Sequence, residues 1–150
     1  MKNEFKLSEV GMIPIDWKSK TLGSMTTKIG DGLHGTPIYS HNGKYPFING
    51  NNLIMGRVSI TNDTKMVNHF EFLKHQKPLS EKSILMSING TIGNLAVYEG
   101  EQIVLGKSVA YLILKPEIHY KFLYYVLQTQ NVRNIFFDGL TGSTISNLGL

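Results

Sequence analysis

The apolar residues of this chain come in short runs, each closed by a glycine or an Asn-Gly pair, and that punctuation constrains its fold more than anything else in the sequence. The β-branched and aromatic runs at 45–48, 57–60, 65–67, 83–88, 95–98, 103–105 and 109–114 read as strands. Asn49-Gly50, Asn89-Gly90 and Glu99-Gly100 read as turns between them. Fifteen Gly and five Pro favour many short elements over a helical bundle. Residues 21–29 fit a helical turn running into a strand, 30–37 a loop, and 69–76 a short helix closed by Pro78. Ile13, restricted by Pro14, belongs to an extended segment, and Trp17 is expected to anchor the core. From 118 to 137 the period changes. Ile118, Phe122, Tyr125, Val126 and Thr129 share one face with Leu123 and Leu127 beside it, the spacing of one substantial amphipathic helix. The expected class is α+β: a mixed, mostly antiparallel β-sheet scaffold with short helices and one longer C-terminal helix.

At 150 residues and 41% hydrophobic, the chain suits one globular domain with its own core. It has no Cys, which excludes disulfides and thiolate metal sites and fits a reducing interior. The opening MKNEFKLSEVG lacks the apolar stretch of a signal peptide, and no run approaches the ~20 apolar residues of a membrane span. A cytoplasmic protein without membrane contact is expected. Fifteen basic against eleven acidic side chains give +4, which permits nucleic-acid binding without demanding it. The densest basic stretch holds Lys65, Lys74, Lys77 and Lys82 with His69 and His75, diluted by Glu71 and Glu81, and on charge alone it reads as a solvated face.

Motifs for catalysis fail one after another. Gly106-Lys107-Ser108 resembles the end of a phosphate-binding loop, but five residues separate Gly100 from Gly106 where four are needed, and a strand follows where a helix must begin. No Pro-Pro pair exists for a base-gripping methyltransferase loop. The one Glu-x-Lys triplet, Glu4-Phe5-Lys6, lies in what reads as a frayed terminus before any strand. The five His lack zinc-protease spacing, and Gly-x-Ser-x-Gly is absent. No catalytic residue, metal site or cofactor is expected.

Polar loops remain. Asn49, Asn51 and Asn52 follow one strand; Ser87, Asn89 and Thr91 follow another; Lys107 and Ser108 sit between two more; Ser143 and Thr144 follow the late helix. Glycine lets such loops approach a partner closely, and amides and hydroxyls offer both donors and acceptors. Asn can pair bidentately with the adenine edge and Lys with guanine, each worth about 1–3 kcal/mol of discrimination. Asn-Gly and Gly-Ser are equally the stuff of ordinary turns.

Taken in order, Ile13-Pro14…Trp17, Asp31-Gly32-Leu33-His34-Gly35-Thr36-Pro37, 45–53, 83–93 and Gly142-Ser143-Thr144 resemble the target-recognition domain of the DNA-specificity (S) subunit of type I restriction–modification systems. The resemblance covers about 11–150. It implies sequence-specific recognition of double-stranded DNA, one half of a bipartite site, with methylation and cleavage left to modification and restriction subunits. It implies one recognition domain over 1–150, with the family's spacer helices and second recognition domain outside it. It makes Gly32, Gly35, Gly90 and Gly93 framework positions. It makes Thr36, Asn49, Asn51, Asn52, Ser87, Asn89, Thr91, Ser143 and Thr144 candidates for DNA contact, with Lys65, Lys74, Lys77 and Lys82 on phosphates. Lys107, Ser108 and Arg57 lie in stretches outside the matched motifs; Arg57 suits either a guanine edge or a phosphate. Asp31 and His34 read as a hydrogen-bonded loop clamp. The rival is a module that docks a methyltransferase or other partner through Phe122, Tyr124 and Tyr125.

Overall fold

The computed structural model describes residues 4–141 and 147–148. In chain order, β1 (Phe5–Ser8) and β2 (Gly11–Pro14) form an antiparallel hairpin, and α1 (Leu22–Met25) runs straight into β3 (Thr26–Asp31). β4 (Tyr45–Ile48) gives way to a 3-10 turn, Gly50–Asn52, and to the hairpin of β5 (Leu53–Ile54) and β6 (Arg57–Val58). β7 (Met66–Val67) precedes α2 (His69–His75). Then follow β8 (Ile84–Ser87), β9 (Leu95–Val97), β10 (Val104–Leu105) and β11 (Val109–Leu114). α3 (Tyr120–Val126) and α4 (Gln130–Asp138) precede the paired β12 (Leu140–Thr141) and β13 (Asn147–Leu148).

Two sheets organise these pieces into the expected α+β class. One is antiparallel in the order β3-β11-β8-β9; the other, β10-β4-β7, has one parallel and one antiparallel pair. The period of two along the strands explains how they stack. Ile84 and Met86 of β8, with Ala110 and Leu112 of β11, face Leu123, Leu127, Val132 and Phe136 of the late helices. The alternate residues Leu85, Val109 and Tyr111 face Ile48, Leu53, Ile103 and Leu105 of the smaller sheet. Phe47 and Val104 point the other way again, onto Val67 and Phe72. Strands covered on both faces have no solvent side to mark, so β8 and β11 read as unbroken apolar runs. Each fully buried Leu or Ile in these layers stabilises the fold by about 1.5–3 kcal/mol.

The late helical segment departs from the expectation of one helix: α3 and α4 are separated at 127–129, where Thr129 takes extended backbone angles at the start of α4. Leu123 and Leu127 bury one turn apart, and so do Val132 and Phe136. An unbroken helix would turn Val132 about 140° away from Leu127, and the break restores both pairs to one core. The buried face is therefore Leu123 and Leu127, whereas Phe122 and Tyr125 are exposed. Trp17 is no core anchor. It is 48% exposed and meets Phe122 edge-on, 5.6 Å between ring centroids. Nor is Glu4-Phe5-Lys6 frayed: Phe5 and Lys6 pair with Pro14 and Ile13 in the first hairpin. The Asn131 amide donates to the Val10 carbonyl (3.0 Å), tying that hairpin to α4.

Candidate nucleic-acid interface

Register fixes where the polar loops emerge. β3 and β8 run antiparallel to β11, with Asp31 beside Ala110 and Ser87 beside Val109. β10 runs parallel to β4, and the Gly106 N–H donates to the Ile48 carbonyl (2.8 Å). All four strands, β3, β4, β8 and β10, consequently run out at the same end, into loops at 32–37, 49–52, 88–94 and 106–108.

Backbone bonds knit the loops together. The Leu33 N–H donates to the Leu105 carbonyl (2.7 Å), Gly32 N–H to Val109 (3.0 Å) and Ile88 N–H to Ser108 (3.0 Å). Gly32 is obligatory here, because a Cβ would lie 2.2 Å from the Gly106 carbonyl oxygen. Gly90 and Gly93 hold left-handed φ of +76° and +88°, whereas Gly35 has open space around it. The His34 ring and the Asp31 carboxylate pair, as a loop clamp requires.

The structure sorts the expected contact residues into two kinds. Some are consumed in holding the loops. The Ser108 hydroxyl accepts from Gly50 N–H (2.9 Å) and donates to Asn49 Oδ1 (3.1 Å). The Asn52 amide accepts from Asn49 N–H (2.9 Å) and donates to the Ser59 carbonyl (3.0 Å) and Thr64 Oγ1 (3.3 Å). Ser87 needs correcting outright: its side chain is 0% exposed, donates to the Thr91 carbonyl and accepts from Asn94 N–H, leaving nothing for a duplex. The others face outward. Thr36, Asn51, Thr91 and Lys107 are exposed and Asn89 half-buried, all on the converging loops.

The basic residues do not form one patch. Lys65 is exposed beside the loops, since its carbonyl accepts from Phe47 N–H (2.8 Å) and Asn52 reaches the neighbouring Thr64. Lys74 lies 3.8 Å from the buried Glu71 carboxylate on α2, and Lys77 is half-buried just beyond that helix. Lys82 is at the opposite end of β8, its ammonium 5.6 Å from the Tyr120 ring centre. That end is acidic. Burial, then the carboxylates of Glu101 and Glu81, push the Tyr98 phenol above its ordinary value. Lys82 is thus poorly placed to share a phosphate backbone with the loops. Arg57 is exposed on the β5–β6 hairpin. Ser143 and Thr144 lie outside the described residues.

One cation escaped the sequence reading. Arg133 of α4 extends over Gly93, its guanidinium 3.9 Å from where a Cβ there would be. It lines a cleft of about 170 Å³ with Asn94, Tyr124 and Gln128. Among the described residues, no carboxylate comes within 4.0 Å of it. An isolated Arg within a helical period carries no signal that it will reach a loop some forty positions earlier. No group of three potential metal ligands occurs among the described residues, and no helix among them is long and apolar enough to cross a membrane.

A family described as the type I restriction modification DNA specificity domain matches residues 14–150. The chain belongs to that family. The specificity domain is also similar in fold to the S subunit of a type I restriction–modification system from M. genitalium, with a TM-score of 0.61 and 22% identity over 91% of this chain and 32% of that one. A second similar structure is the HsdS subunit from Thermoanaerobacter tengcongensis, at 0.54 and 20% over 77% of this chain and 28% of that one. The chain spans about a third of the length of these proteins.

Proposed function

We propose that this specificity domain reads one half of a bipartite site on double-stranded DNA, in the cytoplasm, for a type I restriction–modification complex. The observation that carries the reading is the emergence of four loops, rich in amides and hydroxyls, from one end of the two sheets. Thr36, Asn51, Asn89 and Thr91 meet base edges, where donors and acceptors differ between base pairs. Lys65, Lys107 and Arg133 hold phosphates, which sets position without sequence. Asn49, Asn52 and Ser108 act through these residues by fixing the loops. The remaining length of the similar S subunits has room for a second reading domain and spacers. Methyl transfer and cleavage belong to modification and restriction subunits that dock on the assembled protein.

A second reading, docking of a partner subunit on α3, draws support from Phe122 and Tyr125, which are 53% and 67% exposed. The two readings separate by experiment. Selection of duplexes from a randomised pool is expected to enrich a shared half-site, with affinity falling as salt rises. Neither enrichment nor low-salt binding would leave the DNA reading without support, and Tyr125→Ala would then be tested for loss of partner capture.

A further inference from the structure

Met55 and Gly56 are the two residues between the paired strands of the β5–β6 hairpin, with φ of +50° and +82°. A two-residue turn with both angles positive ordinarily carries Asn-Gly or Asp-Gly, because those side chains tolerate the left-handed region. Here a methionine holds the first position, and its side chain is 95% exposed. Neither its backbone angles nor its burial gives the fold a reason for that choice. Ile54 beside it is also exposed, and Arg57 is its cross-strand partner. Met55 borders the same cleft as Gly93, Asn94 and Arg133, so this apolar tip sits at the edge of the loop surface, with one guanidinium on its own hairpin and another across the cleft.

We propose that Met55 is a specificity-determining contact that meets the C5-methyl group of a thymine in the major groove. The major groove admits a two-stranded ribbon, and the thymine methyl is the apolar feature among its base edges. A straight, polarisable thioether adapts to such a surface better than a branched side chain. The inference rests on the DNA reading above and adds an apolar contact to its amide and hydroxyl ones. Strain at an exposed position points to a task outside the fold.

The test uses Met55→Asn and Met55→Gly, both compatible with a left-handed turn, and exchange of each thymine in the selected half-site for deoxyuridine, which removes only the methyl. Wild type is expected to lose about fourfold in affinity on exchange at one position, the value of one buried methyl group. Both variants are expected to bind the intact site at least about fourfold more weakly and to ignore that exchange. Their thermal midpoints should equal or exceed that of wild type, since a structural role would lower them. Variants that keep wild-type affinity and sensitivity to the exchange would overturn the contact alone. Failure of wild type to enrich any half-site would overturn the contact together with the DNA reading.

Discussion

Where β8 ends, the chain turns through Asn89, Thr91 and Asn94; where β8 begins, it arrives through Glu81 and Lys82, beside Glu99 and Glu101 of the neighbouring strand's exit. Both ends are loops with exposed polar side chains, yet their chemistry differs. At the first, the exposed side chains of the 88–94 and 106–108 loops are neutral or cationic, and the Asp31 carboxylate is engaged by His34. At the second, burial and then the carboxylates of Glu101 and Glu81 make a tyrosine harder to ionise. A duplex is a line of negative charge, so only the first end suits it. Charge counted along the sequence marks 65–82 as the basic region, and counted in space it does not, because Lys74 pairs with Glu71 and Lys82 lies at the far end of β8 over Tyr120.

The largest test of this contrast is mechanical. Gly32→Ala pushes a methyl into the Gly106 carbonyl and forces the 32–37 and 106–108 loops apart, at a cost of about 3 kcal/mol in urea unfolding. An unchanged midpoint would mean that the loops are not clamped. Next comes charge. Lys107→Glu is expected to weaken duplex binding about tenfold and flatten its salt dependence, whereas Lys82→Glu changes affinity by less than about twofold, both read by fluorescence anisotropy. Equal losses would erase the distinction between the two ends.

The smallest effect is on pH. Burial and the carboxylates favour the neutral Tyr98 phenol in the folded chain, so its contribution to stability is intact below the unfolded value of 10.0 and is lost as pH rises past it. The unfolding free energy of wild type minus that of Tyr98→Phe should therefore decline above pH 10 and stay flat below it. A flat difference throughout would show that neither burial nor Glu101 and Glu81 raises the Tyr98 phenol.

Much of the scaffold was legible in the sequence, because local pattern and tertiary environment agree there. β4, β11 and α2 fall at or within a residue of the runs that announce them, and the Gly106-Lys107-Ser108 segment joins two strands as its neighbours imply. What escaped depends on contacts that no local pattern encodes. Periodicity identifies 118–137 as helical but not the reset of phase between Leu127 and Val132. Trp17 is apolar enough for a core, yet one exposed Phe122 suffices as its partner. Ser87 looks like any loop serine until register turns it inward, and Arg133 gains its interest only from Gly93 in space.

Ser87 has a consequence for how such a domain changes over generations. By holding Thr91 and Asn94 from beneath, the Ser87 hydroxyl joins two backbone bonds, Ser87 N–H to the Asn94 carbonyl and Gly93 N–H to the Ser87 carbonyl (2.9 Å each), in tying off the 88–94 segment as a closed ring that buries Ile88 and Ile92 and leaves Thr91 exposed. Asn89 and Thr91 are thereby free to be exchanged without renegotiating the core. On the proposed reading, exchanging those two side chains would change what is read while the bonds that close the ring stay.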